Sequence, residues 1–213
     1  MVKNEVFNTE YKYIKNKKYV DNLKIMVDLL PDYFFLIPAS STGKYHPTYA
    51  TGDGGLVRHT KAAVRIAHEL LINESIGNVF NDDEKDMIIF SLILHDGLKS
   101  GIVKEKYTRF DHPLLMAKFI KDNKDKLTLN EDEIKFISSV ISSHMGQWNV
   151  DYNGNEVLPK PKNKYQKFVH MCDYLASKKF LQVSFKDNEI IDWLEGKLCQ
   201  NGIKNILICV KKY

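Results

Sequence analysis

Five side chains able to ligate a metal fall on the apolar faces of helical segments. In "GLVRHTKAAVRIAHELL", His59 shares a side with Leu56, Ala63 and Leu70, because these spacings return to nearly one face at about 100° per residue. His68, nine residues after His59, lies on the opposite side and is expected at the surface. In "MIIFSLILHDGLKSG", His95 continues the stripe of Ile88, Ser91 and Leu92, with Asp96 the next residue round. His144 extends the row of Ile134, Ile137 and Ile141, and Asp173 shares a face with Val169, Ala176 and Phe180. A lone inward histidine is ordinarily a hydrogen-bonded core residue, and a lone inward aspartate a cap or half of an ion pair. Three imidazoles and two carboxylates in one interior carry a large desolvation cost that a shared cation offsets. Imidazole with carboxylate suits Mn, Fe, Co, Ni or Zn better than Ca.

These ligands need helices to hold them. Apolar periodicity predicts helices over Tyr19–Leu30, Leu56–Leu71, Asp82–His95, His112–Asp122, Glu131–Ser143 and Lys164–Phe180. Pro31 stops the first, Asp111 is placed to N-cap the fourth, and Gly146 is placed to end the chain's run after the fifth. "MIIFSLIL" has almost no polar side and predicts the most buried helix. "FFLIPASSTGKYHPTYATGDGG" reads as a long ordered loop of the kind that carries function. "DNEIIDWLEGKL" reads as a short helix and "KNILICVKKY" as a strand or extended arm. The expected fold is all-α: a single helical bundle around a metal site over residues 1–180, with residues 181–213 an extension packed on the same domain.

Composition restricts the rest. Of 213 residues, 44% are apolar and 27% charged, which is globular rather than disordered or fibrous. The net charge of +4 comes from mixed Lys and Asp/Glu, so it favours phosphorylated ligands weakly and does not imply nucleic acid. Cys172, Cys199 and Cys209 have no CxxC spacing and are odd in number, which suits a reducing compartment. With no signal-like start and no run near the roughly 20 apolar residues of a membrane span, a cytoplasmic protein without membrane contact is expected.

The ordered set His59, His95-Asp96 in "LHDGLKSG", and Asp173 in "VHMCDYLASKK" resembles the HD-domain superfamily of metal-dependent phosphohydrolases, from about Pro38 to Phe180. "GGLVRHT" and "CDYLASKK" look like the flanks of its first histidine and last aspartate. The resemblance implies that His59, His95, Asp96 and Asp173 hold one divalent transition metal ion (Mn, Fe, Ni, Co or Zn). Asp96 would be able to bridge to a second, where His112 and His144 match the extra histidines of two-metal branches. Gly97 departs from the usual His-Asp-any-Gly-Lys word, while Lys99 keeps the lysine position. The implied activity is hydrolysis of a nucleotide phosphoester, a phosphomonoester or a cyclic or short oligonucleotide phosphodiester, by metal-activated water. Asp96 and Lys99 would be catalytic, and Arg58, Lys44, His46 and Lys99 would meet substrate. "SSHMGQW...LPKPKNKYQKFVHMCDYLASKK" is similar to the HD domain of bacterial 3'-to-5' exoribonucleases, which makes single-stranded RNA the alternative partner, and a non-catalytic nucleotide-binding module is a third reading. Trp148 and Tyr45 are candidates to stack on a base or simply to anchor their loops, and the run Lys160, Lys162, Lys164 and Lys167 reads as a solvated face.

Overall fold

Capping chemistry places the helices as much as periodicity does. The computed structural model describes residues 2–191. Helix α1 spans Lys17–Leu29, with the Asn16 side chain accepting the Lys18 N–H at its start. Helices α4 (Asp82–Leu94), α6 (Glu131–Ser142) and α7 (Lys164–Ala176) each begin with a reciprocal capping box, Asn81 with Glu84, Asn130 with Glu133 and Asn163 with Gln166. Such caps satisfy amide groups that a helix leaves open in its first turn. Helix α2 (Gly55–Ile72) is the longest among the described residues, the four-residue α3 (Glu74–Gly77) follows it, and α5 (His112–Asp122) carries Pro113 in its first turn.

Helix α4 is the centre of the bundle. Every residue from Asp86 to Leu94 is buried, and α4 packs against α1, α2, α6 and α7, while α5 packs on α6 and α2 on α7. Its one buried carboxylate on the α1 side, Asp86, accepts the Lys15 and Asn16 amides at 2.9 and 2.8 Å, which ties the N-terminal segment to the core. The aromatic residues Phe7, Phe34 and Phe35 belong to the same core, Phe7 tilted against Phe34 and Phe34 edge-on to Phe35. No helix of the described residues is long and apolar enough to cross a membrane.

The loop before α2 is fixed by backbone pairing rather than by regular structure. Ala39 N–H donates to Ala50 O, Gly54 N–H to Leu36 O and Leu56 N–H to Ile37 O, all within 3.0 Å. Gly54 takes φ +70° to enter the helix, and a Cβ on Gly55 would sit 2.4 Å from Ala50 O. The Gly-Gly pair is therefore what lets the loop lie against the start of α2.

The all-α expectation holds, with local differences. Helix α7 ends at Ala176, four residues before Phe180, because Ser177 turns the chain and its hydroxyl donates to Tyr174 O; Phe180 is 76% exposed, with no core to hold it. Asp111 is at the N-cap position of α5 but makes no capping bond, since Arg109 engages both its oxygens at 2.8 Å. His68 is not a free surface residue: Tyr13 stacks on its ring at 3.8 Å. The helix expected over "DNEIIDWLEGKL" gives way at its start to a hairpin of β1 (Phe185–Lys186) and β2 (Glu189–Ile190), with Phe185 opposite Ile190. Asp187 and Asn188 form its turn at φ +51° and +65°, a left-handed pair that Asp and Asn tolerate better than most residues. The hairpin lies on α2, where Glu189 pairs with the buried Lys61. The remainder of that stretch, and the arm expected over "KNILICVKKY", lie outside the described residues.

Candidate metal centre

Four long helices and two turns deliver the ligands. His59 comes from the second turn of α2, His95 is the C-cap of α4 with Asp96 just beyond it, and His112 opens α5. His144 follows α6 by two residues, and Asp173 is in the last turn of α7. The four histidines and Asp96 are at most 2% exposed.

Asp96 stands in the middle of the cluster, and His95 adjoins both of its sides, grouped with His59 and Asp173 on one and with Asp96 and His144 on the other. On its Oδ2 side, His59 Nε2 and His95 Nε2 stand 3.8 and 3.5 Å away, and Asp173 Oδ1 is 2.9 Å from His59 Nε2 and 3.4 Å from His95 Nε2. On its Oδ1 side, His112 Nε2 and His144 Nε2 are at 2.9 and 3.6 Å, and 3.2 Å from each other. Donor atoms around one ion at about 2.0–2.2 Å stand about 3–3.5 Å apart, so these separations are those of a ligand shell. Two atoms in the cluster's middle, His95 Nε2 and Asp96 Oδ1, are buried and have no hydrogen-bond partner. Close approach without hydrogen-bond geometry means that their lone pairs converge on shared points. The buried His/Asp groups fit a metal ion.

Backbone carbonyls set the tautomers. The Nδ1–H groups of His95, His112 and His144 donate to Leu92 O, Arg109 O and Ile141 O at 2.6, 2.6 and 2.8 Å. Each bond leaves Nε2 facing inward, the atom that would be available to an ion. His170 supports the same turn from α7, donating from Nδ1 to His144 O at 2.7 Å.

Electrostatics favour a cation. Burial alone would raise Asp96, but Lys99, its Nζ 2.5 Å from Oδ2, and then His95 hold the carboxyl well below the usual range. Burial likewise opposes a charged Asp173, and His95 together with the hydrogen bond from His59 holds it low. Burial pushes His59 and His112 down, toward the neutral form a metal needs. Burial works against charge on His95 too, but the Asp96 and Asp173 carboxylates outweigh it and raise it to about 10, the direction in which positive charge is favoured between these carboxylates.

A cavity of about 500 Å³ opens onto this centre. Asp96, His112, His144 and Asp173 reach it from below, and Ser40, Ser41, Thr42 and Tyr45 from the loop before α2. Two residues expected at substrate, Lys99 and His46, line it. His46 packs edge-on against His59, ring centroids 4.8 Å apart, and burial lowers its pKa to about 2. The other two do not reach the cavity. Lys44 is exposed on the loop. Arg58, next to His59 but about 100° round the helix, uses its guanidinium on Tyr49 O, Thr51 O and Asn188 Oδ1, pinning the loop and the hairpin.

Gly97 explains the displaced glycine. A Cβ there would meet Leu30 Cδ2 at 2.7 Å and Met116 Sδ at 2.9 Å, so a side chain after Asp96 would have to push both of these core residues aside. The following turn is held by Tyr33, whose hydroxyl donates to Gly101 O and accepts the Ser100 N–H, and this keeps Lys99 over Asp96. Tyr33, Tyr174 and Lys178 escaped the sequence reading; only Tyr174 had a signal, its place beside Asp173. Comparisons with protein-family models, curated proteins and solved structures each found no match to this chain.

Proposed function

We propose that this chain is a metal-dependent phosphohydrolase that cleaves a phosphoester bond of a nucleotide, of the kind the HD-domain resemblance implies. The observation that carries this is the split use of Asp96, one carboxylate oxygen facing each group of imidazoles. His59, His95, Asp96 and Asp173 would hold the first of one or two divalent ions, and Asp96, His112 and His144 the second. When bound, such ions polarise a phosphoryl oxygen and lower the pKa of a coordinated water toward about 7, the chemistry of phosphoester hydrolysis without a protein nucleophile.

The side chains supply the rest. Lys99 neutralises the buried Asp96 and stands at the cavity floor, where its ammonium meets a nonbridging phosphate oxygen. His46 and the Ser40–Thr42 stretch cover the centre from the loop side and limit bulk water.

Small ligands are favoured over RNA by the size of the cavity at the centre, about 500 Å³. Of the four lysines of the basic run, Lys160 pairs with Glu156 and Lys164 with Glu84 and Val79 O, while Lys162 and Lys167 are exposed. The test is an assay of protein purified without chelator, with Mn, on mononucleotides, cyclic dinucleotides and short RNA, beside Asp96→Ala. The expected result is metal-dependent release of phosphate or a shortened nucleotide that Asp96→Ala abolishes. Turnover of RNA alone would favour the exoribonuclease reading, and no product from any substrate would leave a binding module.

A further inference from the structure

The cavity above the metal centre has one wall that the chemistry at Asp96 does not use. Trp148, from the connection between α6 and α7, and Tyr174, on α7, stack with centroids 5.6 Å apart and planes 23° apart. Both line the cavity, and Trp148 is 44% exposed although its ring sits at a mouth leading to buried charge. Tyr174 is the residue after Asp173, so α7 holds a metal ligand and an aromatic ring at adjacent positions. Lys178, one turn further, lies over the pair with Nζ 3.5 Å from the Tyr174 centroid and 5.6 Å from that of Trp148.

Resting on the phosphohydrolase reading of the centre, we propose that Trp148 and Tyr174 form a nucleobase subsite and that the ligand is a purine nucleoside monophosphate, with its base on this wall and its phosphate at Asp96 and Lys99. Three properties of the cavity select this class. Its two ends differ in kind, a charged floor of imidazole, carboxylate and ammonium and an aromatic rim, which matches a ligand with a dianion at one end and a flat ring at the other. Its volume of about 500 Å³ is within the range of about 300–1,000 Å³ that encloses one small ligand, and suits one nucleotide better than a strand. The rim already attracts a π-face partner: the Lys178 ammonium rests there through a cation–π contact in a half-exposed position, which is weak enough for a base to displace. The displaced ammonium is then beside the base edge, where purine N7 accepts a hydrogen bond. Purines present the larger face to stack and are preferred for that reason.

Calorimetric titration of the Mn-loaded full chain tests this, with adenosine and guanosine monophosphates compared against ribose 5-phosphate, which carries the phosphate without the base. In the wild type a purine mononucleotide is expected to bind about 5- to 150-fold more tightly than ribose 5-phosphate, the range for one base stacked on an aromatic side chain. Trp148→Ala is expected to remove most of that margin and Trp148→Phe to keep it. Because Trp148 is partly exposed, its truncation leaves the core packed; Tyr174→Ala, checked for folding by circular dichroism, provides the second variant. Equal affinity of the two ligand types in the wild type would overturn the subsite, as would a margin that survives both alanine variants. Turnover is scored separately: hydrolysis without a base margin defeats the subsite alone, and a base margin without hydrolysis defeats the phosphohydrolase reading alone.

Discussion

His59 Nε2 and Asp173 Oδ1 lie 2.9 Å apart, although 114 residues separate them in the chain. The contact joins α2 to α7, so a cation that takes both ligands closes the bundle across its two sides. Metal binding is then also folding energy. At one hundred times its dissociation constant, Mn is expected to stabilise the protein by about 2.7 kcal/mol, roughly 5–10 °C in Tm for a chain of this size. Differential scanning calorimetry with and without Mn checks this; Asp173→Ala should reduce the shift to what the His112–His144 side contributes, and Asp96→Ala should abolish it.

Lys99 and Asp96 form a buried ion pair, their side chains 11% and 2% exposed. Removing the ammonium leaves the carboxylate short of its nearest partner, which costs about 3–5 kcal/mol for a buried pair. Lys99→Ala is therefore expected to destabilise the metal-free protein by that order, and added Mn to recover part of it by supplying charge at Asp96. A urea midpoint unchanged by the substitution would contradict the burial of this pair.

Two glycines beside the ligands should respond differently to alanine. At Gly97 the new Cβ meets the far ends of Leu30 and Met116, which can shift, for a cost of about 1–3 kcal/mol. At Gly146, φ is +63° and the Cβ falls 2.1 Å from His170 Cε1, against the ring that holds His144 O. Gly146→Ala is expected to cost more stability than Gly97→Ala, and to weaken metal binding at the His112–His144 side. Paired urea melts and Mn titrations of the two variants measure both effects.

Glu10 gives a pH dependence away from the centre. Burial raises its carboxyl from 4.5 to about 6, only partly offset by Lys61. Between these values the folded protein keeps a proton that the unfolded chain has released, so stability is greatest below about 4.5 and falls as pH rises through about 6. The loss from this group is roughly 2 kcal/mol. Urea unfolding from pH 4.5 to 7 should show that fall in the wild type and a shallower one in Glu10→Gln; equal slopes would contradict it.

The helices were legible because apolar spacing located the faces of His59, His95 and Asp173, while capping boxes such as Asn81 with Glu84, which fix the starts, went unread. His112 was not legible from periodicity, since the first residue of a helix belongs to no established stripe; only the family resemblance suggested it. That Arg58 and Lys44 stand off the cavity was not legible, because it depends on a loop whose path is set by pairing such as Ala39 with Ala50. The hairpin was missed because "DNEIIDWLEGKL" as a whole has helical apolar spacing, while the hairpin's geometry comes from two left-handed residues and from packing on α2. Tyr174 and Lys178 become part of a site only through the cavity they share with Trp148.

The central claim is that Asp96 stands between two ion positions. Anomalous diffraction from crystals grown with Mn tests it most directly. The account predicts two peaks, one among His59, His95, Asp96 and Asp173 and the other among Asp96, His112 and His144, both lost in Asp96→Ala; saturating Mn that gives a single peak, or none, among these side chains would contradict it.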